Sequence, residues 1–136
     1  MLKVVLDTTV IVSGLNFTGS KPAKILELVA EGEIINLVTV DLIHEVIRFL
    51  CGKFLWSEPE GEAAKFWLRA FSKVLSPAIR FAVIAHDPDN RVLECAVAGQ
   101  AHYIISGDRH LTDLTKFQKV KIVSPAEFLE LLTKLN

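Results

Sequence analysis

The chain has 136 residues, of which 51% are hydrophobic and 23% are charged, and its formal net charge is −1. This length predicts one domain covering residues 1–136, and the composition excludes a disordered or collagen-like chain. The near-zero charge argues against a large basic surface that would hold nucleic acid without metal. Apolar runs are too short to span a membrane, and residues 1–7 predict a strand rather than a secretory leader, so a cytoplasmic location is expected.

Hydrophobic patterning predicts strands that alternate with helices along the chain. The predicted strands cover residues 3–6, 35–40, 80–85, 102–106 and 119–123. The predicted helices cover residues 23–31, 42–50, 58–74, 91–98, 108–114 and 125–135, and residues 10–12 either extend the first strand or begin a helix. This alternation is typical of an α/β fold with three layers, in which helices cover both faces of a mainly parallel sheet.

Acidic residues follow the predicted strands at several junctions, namely Asp7, Glu45, Asp87, Asp89 and Asp108. Because the carboxyl ends of parallel strands share one edge of a sheet, we expect these carboxylates to lie close together there. Clustered carboxylates repel one another unless a cation lies between them. Oxygen ligands without cysteine favour Mg²⁺ or Mn²⁺, so the junctions predict a divalent metal site.

Each acid also has an ordinary structural explanation. Asp41, Asp89 and Asp108 stand where helix N-caps belong, and Asp is favoured there. Glu45 lies off the apolar arc of its helix, so a solvated position would explain it. A carboxylate at the end of a buried strand, as at Asp7, is costly unless it is paired or ligated.

Three arginines lie next to these acids, namely Arg48, Arg91 and Arg109. They are candidates for binding substrate phosphates, and the alternative for each is a surface ion pair. Two other motifs are rejected: Ser20 interrupts the Gly-Lys pair of a P-loop, and Arg48 replaces the second histidine of a zinc-protease motif. The histidines lack ligand spacing and are predicted to be polar fillers: His44, His86, His102 and His110. Cys51 and Cys95 are expected to be reduced and buried.

Four short motifs follow one another along the chain. They are Leu-Asp-Thr-Thr-Val at 6–10, Leu-Ile-His-Glu-Val at 42–46, Asp-Pro-Asp-Asn-Arg-Val-Leu-Glu-Cys-Ala at 87–96 and Ser-Gly-Asp-Arg-His-Leu at 106–111. In order and spacing they resemble the motifs of the PIN-domain family of metal-dependent ribonucleases, and most of all its VapC-like toxin branch. The resemblance covers residues 4–132.

The resemblance implies a four-carboxylate site that binds one or two Mg²⁺ or Mn²⁺ ions, with Asp7, Glu45, Asp89 and Asp108 as catalytic ligands. It also implies that metal-activated water hydrolyses single-stranded RNA and leaves a 5′-phosphate and a 3′-hydroxyl. Asp89 fits the third motif better than Asp87, which stays a candidate for an accessory ligand together with Glu94.

Three hydroxyl residues are candidates for orienting the acids, namely Thr8, Thr9 and Ser106. Thr9 stands where the family usually has Asn. The hydrogen bond that orients Asp7 is therefore expected to be either weaker or made by a hydroxyl.

The resemblance also implies a homodimer and a small antitoxin protein that holds the nuclease inactive. Residues 43–55 and 63–75 form two apolar helical stretches that would provide these contacts, or else belong to the ordinary core. The function predicted is therefore a ribonuclease toxin of a toxin–antitoxin pair. The alternatives are an inactive PIN-like binding module and an RNA-processing nuclease without an antitoxin.

Overall fold

A computed structural model describes residues 1–135. Its strands are β1 (Lys3–Leu6), β2 (Ile35–Thr39), β3 (Ser72–Leu75), β4 (Tyr103–Ile105), β5 (Lys116–Phe117) and β6 (Val120–Val123). Its helices are α1 (Thr8–Asn16), α2 (Lys21–Ala30), α3 (Val40–Gly52), α4 (Glu58–Phe71), α5 (Asp87–Ala98), α6 (Arg109–Thr112) and α7 (Pro125–Leu135). Residues 10–12 therefore belong to a helix.

The six strands form one sheet in the order β3-β2-β1-β4-β6-β5. The pairs from β3 to β6 are parallel, and β5 pairs with β6 in the antiparallel direction. The prediction of an α/β fold with a mainly parallel sheet is confirmed. Strand β1 lies between β2 and β4, so the winding changes direction at β1. In such sheets ligands bind beyond the carboxyl ends of the strands at this point.

The strands are strongly apolar because they lie in the core of the molecule. Val4, Val5 and Leu6 of β1 are almost completely buried, as expected for a central parallel strand covered on both faces. Helix α5 packs on β1, β2 and β4, while α1 packs on α2 and α3. The carboxyl ends of β1 and β4 are thereby held by the most buried part of the molecule.

The cysteines are both free thiols. Cys95 is buried in α5, and burial raises the pKa of its thiol to about 12. Cys51 is half-buried near the end of α3. An unreactive, reduced Cys95 fits the prediction, whereas Cys51 is less buried than expected.

Local hydrogen bonds fix the helix starts, and two of the three caps predicted at aspartates are wrong. Asp89 lies within the first turn of α5, and His86 occupies the N-cap position of that helix. Ser57 and Glu60 form a reciprocal capping box at α4, and the Ser124 and Glu127 side chains do the same before α7. The cap of α3 was predicted at Asp41, but the Thr39 hydroxyl accepts from the Leu42 amide instead. Asp41 lies in the first turn, where a negative charge still interacts favourably with the helix dipole.

The structure corrects the strand predicted over residues 80–85. That segment is irregular, and the third strand is Ser72–Leu75, which was predicted as the end of a helix. Helix α4 ends at Phe71, and the chain passes directly into β3, an edge strand parallel to β2. The β-branched pattern of residues 80–85 is thus not used for strand pairing.

Side chains of α5 satisfy the backbone of residues 80–85 in place of a neighbouring strand. The Asn90 side chain accepts from the amides of Val83 and Ile84 at 2.9 Å and donates to the Ile84 carbonyl at 2.8 Å. The Glu94 carboxylate accepts from the Phe81 amide at 2.8 Å. Because buried backbone groups need partners, Asn90 and Glu94 hold this loop against the helix.

Within residues 1–135, none of the helices combines the length and apolar character that a membrane crossing requires.

Candidate metal centre

Asp7 directly follows β1, and its side chain is buried. Its carboxylate Oδ2 accepts hydrogen bonds from the Ser106 hydroxyl at 2.7 Å and the Thr9 hydroxyl at 3.0 Å. Burial raises the pKa of Asp7, the two hydroxyls oppose that rise, and the nearby Asp89 charge adds to it. A buried, acceptor-only group with a raised pKa is one that a cation would stabilise.

The hydroxyl residues connect the ends of two neighbouring strands. Ser106 lies just beyond β4 and is fully buried, and its oxygen also accepts from the Asp108 amide at 2.9 Å. The Thr9 hydroxyl donates to Asp7, which is one of the two outcomes expected from a Thr at the position where the family usually has Asn. Thr8 is buried, and its backbone lowers the pKa of Asp7.

Asp89 lies in the first turn of α5, and its side chain is buried. Burial raises the pKa of Asp89, and the Asp108 charge raises it further, while His86 and His110 lower it. Asp87 is different: its side chain is 72% exposed and contacts Arg91 and Asn90. Of the two acids between which the sequence left a choice, Asp89 is the one placed among the other carboxylates.

Glu45 reaches the same region from α3. Burial raises the pKa of Glu45, and the charges of Asp7 and Asp89 contribute to the rise. The Arg48 guanidinium opposes it. Three elements thus place three acids within each other's electrostatic field, in a part-buried setting where water screens them weakly.

Asp108 completes the group and also caps a helix. Its Oδ1 accepts from the His110 amide at 2.9 Å, at the start of α6. Its charge raises the pKa of Asp89, so the two carboxylates interact. The capping prediction is confirmed for Asp108, and its proximity to Asp89 keeps it a candidate site residue.

Two candidate residues have other partners. Glu94 is buried, and its carboxylate contacts Arg91 at 2.8 Å and Arg80 at 3.3 Å. Arg91 also contacts Asp87 and the Phe81 carbonyl. The Arg91 guanidinium is thus engaged in ion pairs, which is the alternative given for it above. The Glu94 carboxylate pairs with arginines and the Phe81 amide, so it does not lie on an exposed helical surface.

The other two arginines are exposed. Arg48 lines a groove of about 390 Å³ beside Glu45, together with Phe49, Lys53 and His86. Cations along a groove that opens beside the acids are suitably placed to contact the phosphates of an extended polyanion. Arg109 lies in α6, directly after Asp108.

The sequence failed to identify two histidines of this region. His86 Nδ1 lies 3.2 Å from Asp89 Oδ2, and His110 Nδ1 lies 3.8 Å from the same atom. The sequence predicted polar fillers, and in the fold one ligand atom each of His86, Asp89 and His110 lies within 4.8 Å of the others, a spacing that could hold a metal ion. Their positions beside acids at two strand-to-helix junctions are the sequence signal that could have identified them.

A larger cavity, of about 850 Å³, lies elsewhere and does not locate the chemistry. It is lined by residues near the starts of β1, β4 and β6, among them Leu2, Tyr103 and Lys121. The carboxylates lie at the other ends of these strands. Charge and burial, rather than volume, therefore identify the candidate site.

The donor set fits a divalent cation. Asp7, Glu45 and Asp89 all have raised pKa values, caused first by burial and then by their negatively charged neighbours. A divalent ion removes both causes, because it replaces lost hydration and neutralises the repulsion. Oxygen ligands of this kind suit Mg²⁺ or Mn²⁺.

The fold and this cluster together define a class of protein. Residues 3–110 match the PIN-domain family, so the chain belongs to that family, whose members are generally nucleases.

The chain is similar to a known protein in sequence and to a chain of a solved structure in fold. An uncharacterized protein of Methanocaldococcus jannaschii is 31% identical to it, over 95% of this chain and 90% of that protein. The crystal structure of VapBC2 from Rickettsia felis, bound to a DNA fragment from its promoter, contains a chain that superposes with a TM-score of 0.62. That match covers 90% of this chain and 98% of the other at 11% identity, so it demonstrates a shared fold.

Proposed function

We propose that the protein is a divalent-metal-dependent ribonuclease that hydrolyses phosphodiesters of single-stranded RNA. The observation that supports this most is the convergence of Asp7, Glu45, Asp89 and Asp108 from four different elements on the carboxyl edge of the sheet. Membership of a nuclease family agrees with it.

The four carboxylates would hold one or two Mg²⁺ or Mn²⁺ ions. A bound ion supplies the Lewis acidity that activates water and neutralises the charge developing on the phosphodiester. The Ser106 and Thr9 hydroxyls keep Asp7 in one orientation, which leaves its other oxygen free of these two bonds. Preorganised ligands of this kind hold the reacting groups in position without a reorganisation cost.

The substrate would approach along the groove beside Glu45. Arg48 and Lys53 line this groove and are candidates for phosphate contacts. Phe49, which is 40% exposed, offers an aromatic surface on which a base of a single strand could stack. These contacts favour a flexible single strand over a duplex, whose bases are already stacked.

The direct test is cleavage of a labelled single-stranded RNA by the purified chain in Mg²⁺, in Mn²⁺ and in chelator. We expect cleavage only with metal, and 5′-phosphate ends on the products. Asp108→Asn should abolish cleavage, whereas Asp113→Asn, an exposed aspartate of the following turn, should retain it. Cleavage in chelator, or full activity of Asp108→Asn, would refute the proposal.

We further propose that the nuclease is the toxin of a toxin–antitoxin pair and forms a homodimer. The shared fold with a VapBC2 chain supports this role. Helices α3 and α4 pack together through buried residues, and yet large apolar side chains around them, away from the substrate groove, remain exposed: Leu55, Phe66 and Phe71. An exposed apolar patch of this kind is typical of a protein interface.

An RNA-processing nuclease without an antitoxin is the alternative. Co-expression distinguishes the two roles when the reading frame next to the coding sequence is supplied together with this chain. A neighbouring small protein that copurifies with the chain and suppresses cleavage supports the toxin. An active chain that remains unbound and uninhibited by the product of that frame supports RNA processing.

A further inference from the structure

We propose that His86, Asp89 and His110 form a binding site for a borderline transition-metal ion, with Zn²⁺ as the best-fitting ion. The site overlaps the carboxylate centre at Asp89 but differs from it in chemistry. One ligand atom of each of the three residues lies within 4.8 Å of the others. The inference goes beyond the proposed ribonuclease and does not require that RNA be the substrate.

The distances fit a small tetrahedral ion. Zinc bonds of about 2.0–2.1 Å place neighbouring ligand atoms about 3.4 Å apart. The Nδ1 atoms of His86 and His110 lie 3.2 Å and 3.8 Å from Asp89 Oδ2. These two separations are close to that spacing, and the ligand atoms of the two histidines lie within 4.8 Å of each other.

The two imidazole rings are arranged as a pair by the fold. They stack with their centroids 5.7 Å apart and an interplanar angle of 18°. His86 precedes α5, and His110 lies in α6 beyond β4. Two different elements therefore position the two histidines. Two imidazoles that face one carboxylate oxygen form a nitrogen-rich ligand set, which favours Zn²⁺ over the harder Mg²⁺.

Partners around the three residues complete the arrangement. Asp108 Oδ1 lies 3.2 Å from His110 Nδ1, so a second carboxylate borders the site. The Asp89 side chain is buried, whereas His86 and His110 are 53% and 65% exposed. The site is therefore buried at its carboxylate and open to solvent at its imidazoles, which leaves room for an exchangeable ligand and a path of entry for the ion.

The alternative is that both imidazoles only donate hydrogen bonds to Asp89. Calorimetric titration of the metal-free parent and of histidine variants with Zn²⁺, and separately with Mg²⁺, distinguishes the two, since imidazoles that only donate hydrogen bonds would not make Zn²⁺ affinity depend on the histidines. Absorption of bound Co²⁺ in the visible range gives a second readout, because its spectrum reports nitrogen ligands and coordination number. Neither measurement depends on cleavage activity.

The variants are His86→Gln and His110→Gln, with His44→Gln as the matched control, because His44 is an exposed histidine of α3 outside the group. We expect each of the first two to lose more than about tenfold in Zn²⁺ affinity, since even outer partners of a metal ligand contribute that much. Their Mg²⁺ affinity should change far less, and His44→Gln should bind Zn²⁺ like the parent. Far-ultraviolet circular dichroism and an unchanged melting temperature without metal verify that the variants fold.

Equal Zn²⁺ affinity in the parent, His86→Gln and His110→Gln chains would overturn the inference, as would parallel losses of Zn²⁺ and Mg²⁺ affinity. Failure of the ribonuclease proposal gives a different pattern. In that case RNA remains intact in every metal, while Zn²⁺ binding still depends on the two histidines. Conversely, metal-dependent RNA cleavage with histidine-independent Zn²⁺ binding would refute only the inference made here.

Discussion

At Asp7 the chain buries a negative charge at the end of its central strand. Two hydroxyl donors compensate in part, but burial still raises the pKa of this carboxyl. A carboxyl whose pKa is higher in the folded state stabilises the fold below its ordinary pKa, and this contribution is lost as the pH rises through the raised value. At neutral pH the metal-free fold is therefore less stable than it would be with a neutral group at this position.

The substitution Asp7→Asn removes the charge and keeps an oxygen that accepts from Ser106 and Thr9. We expect the metal-free variant to be more stable than the parent by about 1 kcal/mol at neutral pH, a gain typical of neutralising a functional site. The difference should shrink in acid, where the parent's Asp7 is protonated. Urea unfolding in chelator at both pH values measures it. A variant less stable than the parent at neutral pH contradicts this account, and the exposed Asp113→Asn should change nothing.

Ser106→Ala removes the shortest hydrogen bond to Asp7 and leaves that carboxylate with one fewer donor. We expect a loss of about 1–2 kcal/mol in unfolding free energy, because a buried acceptor loses its partner. RNA cleavage should fall as well, since Asp7 is held less firmly. Ser76→Ala, at an exposed serine, should preserve both stability and cleavage. An undiminished stability of Ser106→Ala would show that the bond contributes nothing net.

At the scale of elements, local patterning predicted most helices and strands, but it misplaced one strand and missed the two-residue strand β5. Residues 80–85 have a strand-like composition, and nothing local reveals that Asn90 and Glu94 of α5 bind their backbone instead. Residues 72–75 continue a helical apolar period, and only pairing with β2 makes them a strand. Tertiary contacts decided both segments, and these are absent from a local pattern.

The candidate site was predictable to the extent that topology alone determines it. A parallel sheet brings strand-end acids to one edge, so the proximity of Asp7 and Asp108 followed from the alternation of elements. Asp89 was expected there for a reason that the structure does not bear out, because the segment before α5 is not a strand. The approach of His86 and His110 did not follow, because their contact depends on how α5 and α6 begin. The internal ion pairs of Arg91 likewise depend on where the loop before α5 lies.

Two helical glycines test how closely α3 and α4 pack. A Cβ at Gly61 would lie 2.8 Å from the Cys51 sulfur, whereas one at Gly52 would meet no atom within 4 Å. Gly61→Ala should therefore lower the unfolding free energy by about 1 kcal/mol or more through overpacking. Gly52→Ala should raise it by about 0.5 kcal/mol through helix propensity. Thermal and urea unfolding measure both, and a stabilised Gly61→Ala chain would show that the helices separate easily.

At the scale of the whole molecule, the exposed apolar side chains near α3 and α4 are the proposed dimer interface. Leu55 is 83% exposed and Phe66 is 75% exposed in the single chain. Leu55→Glu and Phe66→Glu should each shift the protein towards monomer in analytical ultracentrifugation, because a charge in an apolar interface is costly. Ile79→Glu, at a 64% exposed residue outside these helices, should leave the association state unchanged. A dimer that persists in both the Leu55→Glu and the Phe66→Glu variant places the interface elsewhere.

The central claim is that four carboxylates act as one metal-dependent centre. Single-turnover cleavage of single-stranded RNA in Mn²⁺ by Asp7→Asn, Asp89→Asn and the double variant tests it most directly, because residues that act as a unit are not additive. We predict that each single variant loses about 10³-fold or more in rate and that the double variant loses no more than either single. Cleavage by Asp89→Asn at the parent rate, or losses that multiply in the double variant, would contradict the claim.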